Sequence, residues 1–174
     1  FPAYNTVLPP TNFVFSSKTF ETFIFIGTLY KQKKIYDLLY AYERLFNKMG
    51  QNTPKLEIIG DGIEYSNIKS WINKKKLTSN VILHGELNND VDLSPIFKRA
   101  MVCISPGQAG LSVQKCFSYG IPFVTTKTAI TGGELFSIIN KTNGFLYDGS
   151  IEHLSKIMFD LSSDVYDIQK VSER

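Results

Sequence analysis

The chain is cut into short apolar runs that stop at glycine. Thr22-Phe23-Ile24-Phe25-Ile26 ends at Gly27, Lys55-Leu56-Glu57-Ile58-Ile59 at Gly60-Asp61-Gly62, and Asn80-Val81-Ile82-Leu83-His84 at Gly85. Met101 to Ser105 runs into Pro106-Gly107-Gln108-Ala109-Gly110. Runs this short, bounded by turn residues and rich in β-branched and aromatic side chains, read as buried strands. Ile121 to Thr125 and Gly144-Phe145-Leu146-Tyr147 give a fifth and a sixth.

Between these runs the period changes. From Lys33 onward, Ile35, Leu38, Leu39, Tyr42, Leu45, Phe46 and Met49 follow the spacing of a helix with one buried face, and Gly50 stands where a C-cap belongs. Ile68, Trp71 and Ile72 mark a second helix, Leu93, Ile96 and Phe97 a short one over Asp92 to Arg99, and another follows Gly110. Gly133 to Ile139, Ile151 to Leu161 and Val165 to Val171 also read as helical. Strands alternating with helices specify an α/β fold, a doubly wound, Rossmann-like parallel sheet of about six strands with helices on both faces. Ligands of such sheets bind beyond the carboxyl ends of the strands, near the point where strand order reverses, and the glycine turns fall at such ends.

A chain of 174 residues suffices for one domain with a core of its own. Residues 1–20, with Pro2, Pro9 and Pro10, read as an irregular lead-in from a missing N-terminal domain, and 21–174 as the folded unit. Phe1 in place of Met, and an end in what reads as mid-helix, suggest a piece of a longer protein. Net charge +3 is too mild to argue for a nucleic-acid partner. No apolar run approaches the roughly 20 residues of a membrane-spanning helix, and no signal peptide opens the chain. The expected location is cytoplasmic, with any membrane contact made peripherally through a bound molecule or the missing domain. Cys103 and Cys116 fit reduced core thiols. No histidine or cysteine pair has metal-ligand spacing, so no metal is expected.

Where a strand passes through a glycine turn into a helix, the first backbone N–H groups lack intrahelical partners and the helix dipole adds partial positive charge. A phosphate can sit there without a basic side chain. Ile104 to Gly120 has this form, with Gly107, Gln108, Ala109, Gly110 and Leu111 offering amides and close approach, although such turns also serve as plain connections. Lys31, Lys33 and Lys34 after the first strand either neutralise a diphosphate as point charges or form a solvated basic turn. GxGxxG is absent and no acidic residue closes the second strand in the ribose-binding manner, which argues against a nicotinamide enzyme. Gly132-Gly133-Glu134 opens a helix, where helix capping explains Glu134 as well as function does. His84 is either a strand-end residue facing the cleft or, as preferred, a surface histidine; Asp61 reads as a turn residue, Trp71 as core and Lys74-Lys75-Lys76 as a solvated helix C-terminus.

Taken in order, four stretches carry a family resemblance: Phe25-Ile26-Gly27-Thr28-Leu29 to Lys33, Ile58-Ile59-Gly60-Asp61-Gly62, Val81-Ile82-Leu83-His84-Gly85, and Gly110-Leu111 to Tyr119-Gly120-Ile121-Pro122-Phe123. They resemble the C-terminal domain of glycosyltransferases of the GT-B fold, group 1 (family 4), over about residues 20 to 150. The resemblance implies retaining transfer of a sugar from a nucleoside diphosphate sugar to an acceptor hydroxyl, of hexosyltransferase type and in surface polysaccharide synthesis. It implies no metal or other cofactor. This domain would bind the donor and an N-terminal domain the acceptor, so the chain alone is expected to be inactive.

Residue by residue, the resemblance gives Lys33 contact with the donor diphosphate and places Thr28 where an arginine is usual. Gly107 and Lys115 occupy the positions of the family signature, a glutamate, seven residues and a second glutamate. In the family the first contacts the transferred sugar and the second the ribose. An ammonium only donates, so Lys115 cannot repeat the second contact. Gln108 offers a neutral contact to the sugar, and Glu134 matches a position that is often acidic after a glycine pair. Both are candidate catalytic residues. The expected donor-binding set is Lys33, Thr28, Gly107, Gln108, Ala109, Gly110, Leu111, Lys115, Gly133 and Glu134. Two alternatives stand beside this one: a catalytically inactive nucleotide-binding domain of the same fold, motivated by the missing glutamates, and a sugar-nucleotide epimerase of GT-B fold.

Overall fold

Side chains along a strand point alternately to opposite faces of its sheet, and the first strand separates two cores on that rule. In the computed structural model, which describes residues 19–163 and 165–167, β1 spans Thr22–Ile26. Its Phe23 and Phe25 enter one hydrophobic cluster and its Ile24 the other. α1 (Ile35–Met49), α2 (Tyr65–Lys74) and α5 (Ile151–Ser162) cover the first face through Leu38, Leu39, Ile68, Leu154 and Met158. α3 (Asp90–Arg99) and α4 (Leu111–Ser118) cover the second through Leu93, Phe97, Val113 and Cys116. A sheet with apolar residues on both faces has to be covered twice, and here it is.

The main sheet also contains β2 (Lys55–Ile59), β3 (Val81–Gly85), β4 (Ala100–Ile104), β6 (Phe123–Thr126) and β8 (Gly144–Tyr147). Its order is β3-β2-β1-β4-β6-β8, and every pairing is parallel. The chain builds outward from β1 to β3 and then returns to place β4 on the other side of β1. The switch point therefore lies between the carboxyl ends of β1 and β4.

Several boundaries differ from the sequence reading. The first helix starts at Ile35, because Lys31–Lys33 form a 3-10 turn and Lys34 adopts a left-handed conformation (φ 50°) before α1. Gly50 ends α1 at φ 60°, its N–H bonded to the Phe46 carbonyl, as a C-cap should. The expected helix from Gly133 to Ile139 is only a 3-10 turn, Glu134–Ser137. The expected helix from Val165 to Val171 is not seen at Val165 and Tyr166, which form a bend, and its residues 168–171 lie outside the described residues, as do 1–18 of the lead-in. The end of the lead-in is tied down: Thr19 and Glu21 donate their N–H groups to the carbonyls of Lys98 and Arg99. A small parallel pair not foreseen, β5 (Gln108–Ala109) with β7 (Ile130–Thr131), stands over the switch point. No helix among the described residues is long and apolar enough to cross a membrane.

Candidate functional site

The loops after β1 and β4 meet backbone to backbone. Gly107 N–H donates to the Lys33 carbonyl at 3.1 Å, and a Cβ on Gly107 would overlap the carbonyl oxygen of Gln32. This contact fixes where the Lys31–Lys33 turn lies against β4, and it needs a residue without a side chain. Gly60 makes a similar close approach: a Cβ there would overlap the carbonyl oxygen of Gly27, so the ends of β1 and β2 also touch. The two glycine turns give the carboxyl edge of the sheet its shape.

Lys33 is buried, 8% exposed, with its side chain folded back over Gly27. Burial pushes its pKa below the ordinary 10.5, and the nearby Cys103 thiol opposes that only in part. Among the described residues no carboxylate forms an ion pair with it. Desolvating an ammonium is costly unless a counter-charge meets it, so this site favours an anion. Thr28 is exposed on the rim, and so are Lys31 and Lys34 on either side of Lys33 in the sequence.

The turn after β4 is held by hydroxyls. Ser105 Oγ donates to the Gln108 carbonyl at 2.8 Å, Thr125 Oγ1 to the Ser105 carbonyl at 2.8 Å and Thr126 Oγ1 to the Pro106 carbonyl at 3.0 Å. Gly107 to Gly110 is thus not the open run of amides expected from the sequence: the Gly107 N–H is taken by Lys33, and Gln108 and Ala109 are strand β5. The open donors lie one step further on. α4 begins after Gly110 with no side-chain cap, leaving the amides of Leu111 and Ser112 at a helix N-terminus. Ser112 Oγ is buried there and, among the described residues, has no partner. Leu111 itself is exposed. Gln108 is half-buried, and its Oε1 accepts from Tyr30 Oη at 2.6 Å.

Pairing of Ala109 with Thr131 brings the Gly132-Gly133-Glu134 turn beside this edge. Glu134 is spoken for within that turn: its Oε2 accepts from the Gly132 N–H at 2.9 Å and from Thr131 Oγ1 at 3.1 Å. Thr131 Oγ1 in turn accepts from the N–H groups of Gly133 and Leu135. Thr131 and Glu134 thus close the turn on each other, with Gly133 at φ 125° supplying the bend; the N-cap of the 3-10 turn that follows is Gly133, which has no side chain to cap it. Lys115 turns to α3, where its Nζ lies 2.6 Å from Asp90 Oδ1. Hydrogen bonds from Lys115 and Tyr119 hold the Asp90 carboxyl below the usual range.

Next to these loops a cleft of about 420 Å³ opens at the ends of β1, β2 and β3, lined among others by Gly27, Thr28, Gly60, Asp61, Glu86 and Asn88. A larger hollow between α1 and α5, lined by Arg44, Lys48, Glu152 and Phe159, has no strand end in it. The cleft at the strand ends reaches the switch point, where the fold predicts a ligand, only from its β1 side, through Gly27 and Thr28. His84 is neither in the cleft nor free: its Nε2 pairs with buried Glu57 at 2.7 Å. Asp61 serves its turn, accepting from the Gly62 N–H. Sequence reasoning passed over Tyr30 and Asp90, since their partners Gln108 and Lys115 lie 78 and 25 residues away.

The family model for glycosyl transferases group 1 matches residues 12–171. A poly(glycerol-phosphate) alpha-glucosyltransferase of Bacillus subtilis (strain 168) is 28% identical over 155 residues, which is 87% of this chain and 22% of that protein. A TarM mutant from S. aureus, solved with Fondaparinux, alpha-GlcNAc-glycerol and UDP, superposes with a TM-score of 0.80 at 22% identity, over 99% of this chain and 34% of that one. The C-terminal domain of a glycosyl transferase group 1 family protein (LpcC) from Francisella tularensis superposes with a TM-score of 0.71 at 13% identity, over 95% of this chain and 90% of that domain. The chain therefore spans about a fifth of the curated relative it matches. With its six-stranded parallel sheet, its glycine-shaped carboxyl edge and the family match over most of its length, the chain belongs to the glycosyl transferases group 1 family and has the Rossmann-like fold of GT-B glycosyltransferases.

Proposed function

We propose that this chain is the donor-binding part of a retaining glycosyltransferase that moves a hexose from a nucleoside diphosphate sugar to an acceptor hydroxyl in cell-surface polymer synthesis. The observation that carries this reading is Lys33, a buried ammonium without a carboxylate partner among the described residues, fixed by Gly107 at the switch point. As the glycosidic bond breaks, negative charge grows on the leaving diphosphate. Lys33 and the amides of Leu111 and Ser112 would meet it as preorganised donors in a partly desolvated place, where such contacts are strongest. UDP in the TarM complex, and UDP with GlcNAc in that of pneumococcal GtfA, support a nucleotide-sugar ligand. The B. subtilis relative's name, and TarM's complex with a glycosylated glycerol, support a polymer of the teichoic acid kind as acceptor class. The acceptor itself would be held by an N-terminal domain, with the whole protein acting at the cytoplasmic side of the membrane.

Titration with several nucleoside diphosphate sugars, with Lys33→Ala alongside, tests the reading. Saturable binding is expected, weakened at least about tenfold by the substitution, since hydrogen bonds to charged groups contribute roughly 1.5–3 kcal/mol. No binding by any nucleotide would refute it. A second reading, a nucleotide-binding domain without transfer, is favoured by Gly107: the backbone there leaves no room for a glutamate. Binding without turnover in the full-length protein decides for it.

A further inference from the structure

Tyr30 has no role in the reading above, yet it touches two members of the site. It stands between β1 and the Lys31–Lys33 turn, and its hydroxyl donates to Gln108 Oε1 at 2.6 Å, bridging the loops after β1 and β4. Its ring lies under Lys33, with Nζ 5.9 Å from the centroid. Tyr30 and Gln108 are half-buried.

A glutamine amide has two ends, one accepting and one donating, and a free side chain can present either. Here the phenol occupies the accepting end. What remains is Nε2 with its two N–H groups, lying on the side of Gly110, within 3.9 Å of where a Cβ on that residue would stand. Gly110 is the N-cap of α4. A fixed amide donor, a buried ammonium and a helix N-terminus without a side-chain cap thus share one edge. We propose that Tyr30 is a positioning residue that latches Gln108 by its Oε1 with the amide N–H groups presented, so that Gln108 Nε2, Lys33 Nζ and the first amides of α4 form one arc for the oxygens of a diphosphate. This rests on the donor-site reading. It gives position 108 a polarity that a carboxylate could not supply, because an ionised carboxylate only accepts and would repel the same oxygens.

The test is calorimetric titration of the purified protein with UDP and with inorganic pyrophosphate, using Tyr30→Phe, Gln108→Ala, Gln108→Glu and the double Tyr30→Phe/Gln108→Ala variant. Tyr30→Phe keeps the ring under Lys33 and removes only the latch, and melting curves check that each variant is folded. Loss of one neutral hydrogen bond should weaken both ligands about three- to tenfold in each of the first two variants. The double variant should be no weaker than Gln108→Ala, because Tyr30 acts through Gln108. Gln108→Glu should be weaker still, about thirtyfold or more. If the wild type binds and Tyr30→Phe is unaffected, or the two losses add in the double variant, the latch is wrong while the donor reading stands. Undiminished binding by Gln108→Glu overturns the assigned polarity. No binding of either probe by the wild type overturns this inference and the donor reading together.

Discussion

Lys115 Nζ lies 2.6 Å from Asp90 Oδ1, and Tyr119 Oη donates to the same oxygen at 2.8 Å. The lysine that stands in the family's second glutamate position is therefore one half of an ion pair between α4 and α3.

Restoring the family glutamate alone should fail for this reason. Lys115→Glu would set two carboxylates against each other beside the Tyr119 phenol. Lys115 and Asp90 side chains are 27% and 53% exposed, so solvent screens the pair and the loss should be about 1 kcal/mol. The exchange Asp90→Lys with Lys115→Glu should recover most of it. Thermal melts at low and high salt check this, and a Lys115→Glu protein as stable as wild type at low salt would dispose of the pair.

Gly107 is the position of the first family glutamate, and no side chain fits there on this backbone. Gly107→Ala would drive a methyl group into the Gln32 carbonyl, and relief requires the β1 and β4 loops to part. A destabilisation of about 2–3 kcal/mol is expected, in the range of overpacked interiors, together with weaker nucleotide binding as Lys33 loses its anchor. Gly110→Ala is the control, since the nearest atom to its new Cβ is the Gln108 amide nitrogen at 3.9 Å. Urea denaturation of both variants is the measurement, and equal stabilities would count against the close approach.

What could be read from the sequence was what short-range pattern controls. Phe23, Ile24 and Phe25 announce a strand buried on both faces, and the Ile35 to Met49 stripe a helix, because burial period is local information. Gly27, Gly60, Gly85 and Gly107 mark the carboxyl edge of the sheet. The β5–β7 pair was missed because two-residue strands have no period to detect, and their register depends on turns more than twenty residues apart. Glu134 looked like the start of a helix, but Gly132 and Gly133 raise the backbone entropy cost and the carboxylate closes on its own turn, leaving a single 3-10 turn. The resemblance names Lys33, but its burial and the Gly107 N–H bond to its carbonyl belong to tertiary structure.

Glu57 gives a prediction about acid stability. It is 1% exposed on β2, and it accepts from Arg99 Nε and Nη2, both at 2.6 Å, and from His84 at 2.7 Å. Burial alone would raise its pKa, but the hydrogen bonds from Arg99 and His84 outweigh it and hold the carboxyl below the usual range. A depressed carboxylate stabilises the fold fully above its unfolded value and loses that contribution as pH falls through the folded one, so the loss should begin below about pH 4. Glu57→Gln should cost about 3 kcal/mol at neutral pH, at the low end for a broken buried pair because Arg99 stays partly solvated. Denaturation midpoints from neutral pH down through the acid range test both parts: a Glu57→Gln protein with an unchanged acid limb would refute the first, and one as stable as wild type at neutral pH the second.

Lys33 gives the opposite limb. Its pKa in the folded protein is depressed below 10.5 by burial, so between the folded and unfolded values the unfolded chain binds more protons, and stability of the unliganded protein rises with pH across that interval. A bound diphosphate reverses the preference, because it favours the ammonium and draws the pKa back up. Nucleotide binding above the folded value must then take up a proton, and affinity should fall as pH increases, by up to about tenfold per unit. Calorimetry at alkaline pH in two buffers of different ionisation enthalpy measures the uptake directly. Lys33→Met should bind more weakly and lose both the proton uptake and the alkaline slope. If the Met variant keeps the wild-type slope, some other group titrates with the ligand, and Lys33 does not face the phosphates.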